Sequence, residues 1–577
     1  MYKVDRYKLA SMLLTFFSMT VVVTAIFLLA GISVSIWNIL FASTVTASIF
    51  LYKDNDFKKT VFHLVVVAAI IVLITLFSSS VFDQTWDGAA YHKQAIGFLK
   101  YGWNPVYQAD TVFNELSHNI RYPMPNPMLW AEAYPKATWY FSASIYAITG
   151  NIESGKMYHL LFALITYLFF SEFLIRKGFK KYQVILVSLV VSLNPIMLAQ
   201  FCSYYLDSLV AVILMLIMLF FSQIIEGEQD NKKTWLNLYF LMAIGCNLKF
   251  SVGVFIMVVS VIFLFFYGYR KRKDIKLFVS RFSVFVGAAC TAVFVVGVAP
   301  FLTNLLRFHN MFYGFLGETA LVSKENMENL FGILGLNNPM MFFLSLMGRM
   351  GHGNYPTIAE LLKIPFTFEM QELGYYYYVD PRLGGFGVFF SGIFLVSVVC
   401  IILLRKKWIQ QFPEKKDSLN LLVVFSIALM IVAAILPATY NARYVGFLYI
   451  IVYIAMYMLF SFVNEKKGEI RILKYLGIFL CAISLMNVAP FFKVTQSRID
   501  RDANTKSSLQ YLRDISYEGK KIYIAFYAYD FSGMHYNLMD NMVHYEFVPI
   551  EKIDNTYTAT YSNWMFYKIE ETEEKGQ

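Results

Sequence analysis

Charge and cysteine are both scarce in this sequence, and each shortage excludes a class of protein. Charged side chains make up 15% of the 577 residues, whereas soluble domains carry about 25%. The five cysteines are scattered through apolar segments and form no C-x-x-C pair, so we predict neither a disulfide framework nor a zinc site. The H-E-x-x-H and G-x-S-x-G motifs of zinc peptidases and serine hydrolases are also absent.

The sequence contains one near match to a nucleotide-binding loop, which we reject. Segment G-N-I-E-S-G-K-M, residues 150–157, lacks the Ser or Thr that should follow Lys156 and has no preceding strand in a soluble domain. No internal repeat is visible, although transporters built from inverted repeats would show one. The net charge of +10 could suggest a nucleic-acid partner, but most basic residues lie in short loops between apolar runs, which indicates membrane topology instead.

Hydrophobic residues, by contrast, make up 58% of the chain and include 55 Phe and 40 Tyr. Soluble proteins are about 45–50% apolar, so this composition predicts a polytopic α-helical membrane protein. Apolar runs long enough to cross a bilayer predict about 13 transmembrane helices, near residues 9–34, 36–52, 60–82, 157–175, 183–200, 206–225, 234–248, 250–268, 278–303, 384–404, 419–437, 444–463 and 472–489.

The basic loops predict how the bundle is oriented. They all fall on one side of the membrane, and the positive-inside rule makes that side cytoplasmic, together with the N-terminus. An odd number of spans then places the C-terminus outside. The seven basic segments are Lys3–Lys8, Lys53–Lys59, Arg176–Lys181, Lys232–Lys233, Arg270–Lys276, Arg405–Lys416 and Lys466–Lys474.

Three regions follow from this topology. Residues 1–59 are predicted to form two N-terminal transmembrane helices, and residues 60–489 a transmembrane bundle with outer loops at 83–137 and 304–383. Residues 490–577 are predicted to form a small outer α/β subdomain, because Ser507–Ile515 has the pattern of a helix and Lys521–Tyr529 that of a strand. The three long connecting segments therefore all lie on the outer side.

The first outer loop opens with F-D-Q-T-W-D-G-A-A-Y-H-K-Q, residues 82–94. Carboxylates beside a membrane bundle are costly, so their presence suggests a reaction at the membrane surface. In a helix, Asp83, Asp87 and Tyr91 would lie on one face. The two carboxylates could form a general base with its supporting group, or half of a metal site. Alternatively, Asp83 only caps the helix.

Four cations also fall on the predicted outer side, against the positive-inside trend. Lys136 lies in E-A-Y-P-K, Lys249 in N-L-K-F-S, Arg382 in D-P-R-L-G-G and Arg443 in N-A-R-Y. Basic residues at outer span ends suggest an anionic ligand such as a lipid phosphate. The alternative is that each side chain extends to the outer lipid headgroups.

Taken together, these motifs resemble the GT-C superfamily of membrane glycosyltransferases, in particular the bacterial relatives of the protein O-mannosyltransferases and the lipid A aminoarabinose transferase. The likeness covers roughly residues 60–490 and includes W-D-G-A-A-Y-H, E-A-Y-P-K, Y-L-D-S-L, N-L-K-F-S, D-P-R-L-G-G-F-G and N-A-R-Y. It implies a catalytic aspartate in the first outer loop, with Asp87 matching better than Asp83. The substrate-binding residues that we predict from these motifs are Lys136, Lys249, Arg443, Arg382, Asp380, Tyr91, His92 and Glu132.

The resemblance implies an inverting transferase that takes a sugar from a polyprenyl-phosphate donor on the outer face of a bacterial plasma membrane. The acceptor would be a cell-envelope glycan, lipid or protein. No cofactor is assigned; the D-x-x-x-D spacing differs from the adjacent acidic pairs of some branches and leaves a divalent cation open. Two alternatives remain: a transporter or flippase of a lipid-linked sugar, and a catalytically inactive membrane scaffold.

Overall fold

The protein is a multi-pass membrane protein built from long apolar helices. A computed structural model describes residues 4–52, 56–108, 127–227, 230–315, 336–351, 357–465, 471–526, 533–559 and 565–570. Within these ranges, nine helical segments are long and apolar enough to cross a membrane: Arg6–Leu29, Phe57–Ser79, Ile152–Arg176, Asp207–Glu226, Phe250–Arg270, Ile275–Val296, Pro413–Ile435, Ala442–Asn464 and Arg471–Tyr517. Three shorter apolar helices are Ile36–Leu51, Lys181–Ser192 and Asn338–Met347.

These nine segments coincide with nine of the predicted spans. The other four predicted spans coincide with helices that are shorter or more charged: Ile36–Leu51, Lys181–Ser192, Lys232–Gly245 and Phe390–Gln411. Pro195 begins a separate helix, which explains why the predicted span 183–200 is divided. The remaining helices are Lys93–Lys100, Pro127–Ala133, Ala137–Thr149, Pro195–Gln200, Thr303–Phe308, Ile358–Leu361 and His535–Asp540.

Several long helices begin at an aspartate that caps their first turn. The carboxylates of Asp5, Asp56 and Asp274 accept hydrogen bonds from the backbone amides of Lys8, Lys59 and Leu277. A capping carboxylate satisfies an amide that has no partner within the helix and interacts favourably with the helix dipole. The basic loops of the sequence therefore also carry the start signals of three spans.

Two apolar helices occupy the centre of the bundle. The apolar 18-residue stretches of helices Asp207–Glu226 and Ala442–Asn464 are fully buried. In helix Phe57–Ser79, by contrast, only 17% of the corresponding stretch is buried. The Asp207–Glu226 helix packs against the Ala442–Leu448 turn and the Lys416–Ile435 helix. A helix that is hydrophobic all round and enclosed by others belongs to the core rather than to the lipid surface. Asp207 and Arg443 are thus held by helices in the most deeply buried part of the bundle.

The chain ends in a small α/β subdomain. Helix Pro490–Tyr517 is followed by strands β1 (Lys521–Phe526), β2 (Glu546–Phe547), β3 (Thr558–Ala559) and β4 (Met565–Glu570), in the order β2-β1-β4-β3. β1 pairs with β2 in parallel and with β4 antiparallel, and β4 pairs antiparallel with β3. The helix predicted at Ser507–Ile515 is part of a 28-residue helix. The hydrophobic core of this subdomain packs against Ala89, which belongs to the same segment as Asp87.

Candidate functional site

Asp87 lies at the start of a short helical segment beyond the Phe57–Ser79 helix. The chain is not helical from Phe82 to Thr85; a helix begins at Trp86 and continues as a π-turn over Gly88–His92. No side chain or backbone amide in the described part of the chain donates a hydrogen bond to the Asp87 carboxylate, which is 22% exposed. Burial raises the pKa of Asp87, and the nearby charges of Arg443 and Lys249 oppose that rise.

Arg443 is the cation nearest to Asp87. Its Nη1 atom lies 3.7 Å from Oδ2 of Asp87 and 4.0 Å from Oδ2 of Asp207. Its Nη2 atom donates a 2.8 Å hydrogen bond to the hydroxyl of Tyr444, and the guanidinium lies over the rings of Tyr205 and Tyr444. Nε and Nη1 are buried and have no hydrogen-bond partner among the residues that the structure describes. Two strong donors therefore remain for a ligand.

Asp207 and Lys249 form an ion pair beside Arg443. The Lys249 ammonium donates to Oδ1 of Asp207, and Gln200 Nε2 donates to Oδ2 at 2.9 Å. Burial acts to lower the pKa of Lys249, but the Asp207 carboxylate holds that pKa above its ordinary value. The ammonium also lies 4.8 Å from the centre of the Tyr444 ring. Lys249 is therefore a fixed positive charge within the same group of side chains.

The D-P-R-L-G-G turn packs directly against the turn that holds Arg443. Backbone amides of Ala442 and Arg443 donate to the carbonyls of Arg382 and Pro381, both at 3.1 Å. Arg382 donates through Nε and Nη2 to Oδ2 of Asp380, at 3.0 and 2.9 Å. The Asp380 charge contributes to the raised pKa of Asp87, which places it close to that carboxylate. This ion pair supports the site from the D-P-R-L-G-G turn.

Asp83 does not share a face with Asp87, so that prediction is wrong. Asp83 precedes the helix, and its buried carboxylate accepts hydrogen bonds from the amides of Thr85 and Tyr204, at 2.9 and 2.7 Å. Its own amide donates to Glu153 at 2.9 Å. Burial raises the pKa of Asp83, and Lys93 opposes that rise. Asp83 does not cap the helix either: the side chain that does so is Thr85, whose hydroxyl accepts a 3.3 Å hydrogen bond from the amide of Gly88. The Asp83 carboxylate has a structural role instead, because both of its oxygens accept from backbone amides outside the helix.

A buried charge network anchors the segment around Asp83. Lys93 donates to Glu153 Oε1 at 2.6 Å, to the Asp83 carbonyl at 2.6 Å and to Asn537 Oδ1 at 2.8 Å. Lys156, from the rejected nucleotide-loop match, pairs with the other oxygen of Glu153. The network thus joins the Asp87 segment, the Ile152–Met157 turn and the C-terminal subdomain. Glu153 and Lys156 therefore have a structural role, because the Lys156 ammonium is already occupied by the Glu153 carboxylate.

Lys136 and Glu132 form a separate group with Arg307, and neither forms a hydrogen bond or ion pair with Asp87, Lys249 or Arg443 among the described residues. The Lys136 ammonium is buried and donates to the carbonyls of Glu132 and Tyr134, at 2.6 and 2.8 Å. Glu132 pairs with Arg307 at 2.7 Å. Burial lowers the pKa of Lys136 to about 7; Glu132 acts against this shift and Arg307 adds to it.

Tyr91 and His92 lie between these two groups. Trp139 Nε1 donates to His92 Nδ1 at 2.7 Å, which places the proton of a neutral imidazole on Nε2. Burial, with the charge of Lys249, lowers the pKa of His92 well below its ordinary value. Tyr91 stacks on Trp130 with ring centres 5.5 Å apart and contacts Tyr134. The two residues therefore form part of an aromatic wall beside Asp87.

Of the predicted site residues, the structure brings Asp87, Lys249, Arg443, Asp380, Arg382, Tyr91 and His92 into one region. Asp207 was missed as a site residue, although its Y-L-D-S-L motif was noted. The sequence did contain a signal: Asp207 is an acidic residue at the first position of an otherwise apolar span. A carboxylate at such a position is costly unless it has a role, and the same reasoning identified Asp87. Among the described residues, no three His, Cys, Asp or Glu side chains are grouped so that they could hold a metal ion.

Comparison with known protein families finds no model that matches this chain, and comparison with curated proteins finds no significant match. Within the described ranges, Asp87 is a partly exposed carboxylate that accepts no hydrogen bond, and Nε and Nη1 of Arg443 are buried donors without an acceptor. This combination can accept a proton and bind an anionic group at adjacent points.

Proposed function

We propose that this protein is an inverting membrane glycosyltransferase whose donor is a polyprenyl-phosphate sugar. The observation that carries the proposal is the 3.7 Å separation between Asp87 and an Arg443 guanidinium with unused donors. A transferase of this kind needs a base for the acceptor hydroxyl and a cationic site for the phosphate that leaves. The GT-C-like fold, the 13 spans, the cytoplasmic N-terminus and the outer position of Asp87 in a bacterial plasma membrane are parts of this proposal.

In the proposed reaction, Asp87 takes the proton of an acceptor hydroxyl while the acceptor oxygen forms a bond to the anomeric carbon of the sugar. The bond between that carbon and the phosphate oxygen breaks, and the phosphate leaves with the electron pair. Arg443 donates hydrogen bonds to the phosphate, and Lys249 adds a fixed positive charge. Attack from the face opposite the phosphate inverts the anomeric configuration. The leaving phosphate needs no proton, so one base is sufficient.

Cations of the protein supply the positive charge in this proposal. The Arg443 guanidinium lies between Asp87 and Asp207, at the position where a divalent cation would bridge two carboxylates. We therefore expect transfer to continue in the presence of a chelator. The Lys136 ammonium already donates to two backbone carbonyls, so we do not propose that it contacts the phosphate directly. We propose that it supports the donor site from the neighbouring group.

The test is transfer of a labelled sugar from a panel of polyprenyl-phosphate sugars by the purified protein and its Asp87→Asn variant. Loss of the proton acceptor should reduce turnover about 10²–10⁴-fold with little change in donor binding. Asp500→Asn is the matched control, since Asp500 is an exposed carboxylate on helix Pro490–Tyr517. Equal turnover by Asp87→Asn and the control would refute the assignment. Sugar translocation in proteoliposomes without transfer, unaffected by Asp87→Asn, would identify a flippase instead.

A further inference from the structure

A cavity opens at the end of the bundle opposite Asp87. It has a volume of about 520 Å³ and is bounded by the first turns of helices Arg6–Leu29 and Lys232–Gly245 and by the end of helix Ile36–Leu51. Its lining includes four cations, Lys8, Arg176, Lys232 and Lys233. These come from three of the separate basic segments of the sequence. The positive-inside rule accounts for their side of the membrane but not for their convergence on one cavity.

The cavity retains a positive charge after its acidic neighbours are counted. Asp5 lines it, but the Asp5 carboxylate caps a helix by accepting from the Lys8 amide at 3.0 Å. Glu172 pairs with Arg176 at 2.9 Å. Neither carboxylate is paired with Lys232 or Lys233, so the cavity retains the positive charge of these two lysines.

Lys232 and Lys233 are the cations most available to a ligand. Both side chains are exposed, and neither ammonium contacts an acidic partner within the part of the chain that the structure describes. They follow Asn231, whose side chain caps their helix and fixes its first turn. Their backbone is therefore held at the rim of the cavity while their charges remain free to bind.

The floor of the cavity is preformed. The Tyr7 and Thr234 hydroxyls share a 2.8 Å hydrogen bond, and Asn237 donates to Ser11 at 2.9 Å. The Arg176 guanidinium lies 5.2 Å from the centre of the Tyr7 ring. An adjoining cavity of about 200 Å³ shares Lys8, Lys232 and Lys233 and adds the apolar side chains of Ile49 and Leu236. A cationic pocket therefore continues into an apolar groove.

We propose that this cavity binds the phosphate headgroup of an anionic phospholipid, with the start of an acyl chain along Ile49 and Leu236. Charge complementarity supports an anion, and the apolar groove supports a lipid rather than a free phosphate. The cavity lies at the ends of membrane-spanning helices, where phospholipid headgroups are found. This site is separate from Asp87 and does not depend on the proposed transfer reaction.

The test is saturable binding of a spin-labelled phosphatidylglycerol to the full-length protein in neutral detergent micelles. Lys232→Gln/Lys233→Gln should weaken binding about 30-fold, since each juxtamembrane cation contributes roughly fivefold to the affinity for anionic lipid. Lys406→Gln/Lys407→Gln removes the same charge from two exposed lysines near the end of helix Phe390–Gln411 and should leave binding unchanged. Circular dichroism and thermal unfolding confirm that both variants are folded.

Three outcomes would overturn the proposal. Equal losses in the two double variants would mean diffuse attraction of lipid to a basic surface. Binding of labelled phosphatidylcholine with the same affinity would mean that charge has no part in it. Displacement of phosphatidylglycerol by inorganic phosphate, but not by an equal ionic strength of chloride, would identify a site for a soluble anion. Failure of the Asp87 assay affects none of these measurements.

Discussion

Arg443 Nη1 lies 3.7 Å from Asp87 Oδ2, which is beyond hydrogen-bond distance but close enough for a strong electrostatic interaction. The two groups are therefore near each other without satisfying each other. If Arg443 were hydrogen-bonded to Asp87, fewer of its donors would remain for a ligand, and Asp87 would be a weaker base. This incomplete contact is the feature of the site that most favours a catalytic role over a purely structural one.

Arg443→Gln should weaken use of a phosphate-bearing donor about 10- to 150-fold, because a charge-assisted contact is worth about 1.5–3 kcal/mol. Arg443→Lys should also be impaired, since an ammonium cannot reproduce two donors of a planar guanidinium. Donor dependence of turnover measures both effects. Arg405→Gln is the control, because Arg405 is exposed and bonds only to Asn420 in the described residues. Unchanged donor use in Arg443→Gln would contradict the phosphate assignment.

Asp83→Ala should lower the stability of the protein rather than its turnover. The change leaves the buried amide of Tyr204 without its acceptor, at a cost of about 1–3 kcal/mol, and also removes the acceptor of the partly buried Thr85 amide. Thermal unfolding should report the loss, while turnover per folded molecule should fall far less than in Asp87→Asn. The opposite pattern, a stable Asp83→Ala protein without turnover, would show that Asp83 acts in the reaction.

Gly97→Ala should loosen the C-terminal subdomain from the bundle. A Cβ atom at Gly97 would lie 2.0 Å from Cζ of Tyr536, so the fully buried Tyr536 ring or the helix that carries it would have to move. Overpacking of this kind costs about 1–3 kcal/mol. Limited proteolysis of residues after Pro490 should become faster.

Gly253→Ala is the matched control for this change. Gly253 is also within a helix, but a Cβ there meets no heavy atom within 4 Å. Alanine is the better helix former, so the control should be neutral or slightly stabilising. Identical proteolysis of the two variants would mean that the close approach of Gly97 and Tyr536 does not hold the subdomain.

Lys136 should make stability depend on pH above neutrality. Its pKa is lowered to about 7 in the folded protein by burial, whereas an unfolded lysine titrates near pH 10.4. Between these values the unfolded chain binds more protons at this site, so stability should rise with pH by up to about 1.4 kcal/mol per unit. Below pH 7 both states are protonated and the dependence disappears.

Denaturant unfolding of the wild type and Lys136→Met between pH 6.5 and 9.5 measures this contribution. The wild-type protein should gain stability relative to the variant as the pH rises, because methionine has no proton to release. Parallel curves across this range would mean that Lys136 titrates normally and that its ammonium is reached by water.

The sequence predicted the residues of the site better than their geometry. Asp87, Lys249 and Arg443 were identified because each is a charge at the end of an apolar run, where a residue without a role would be costly. Asp83 satisfied the same criterion and was placed wrongly. Helical spacing does not apply to residues 82–85, which are not helical, or within a π-turn, where the repeat is longer than 3.6 residues.

The contacts of Asp207, by contrast, could not be predicted from the sequence. Its position at the start of a buried helix was visible, but its pairing with Lys249 and its 4.0 Å approach to Arg443 link segments more than 40 and 230 residues apart in the sequence. No local pattern contains such contacts. Likewise, the two N-terminal helices and strand β1 follow from local patterns, whereas strands β2, β3 and β4 and the packing of Ala89 into that subdomain do not.

By itself, the sequence determined that the chain is a multi-pass helical membrane protein, because apolar runs of sufficient length can satisfy their backbone in a bilayer only as helices. It also determined that charged residues collect at span ends, because lipid excludes them elsewhere. Tertiary structure alone decided which of those charges neutralise one another and which remain available. Lys249 is paired with Asp207, whereas Asp87 and Arg443 keep unused acceptors and donors, because only packing of distant segments fixes distances between side chains.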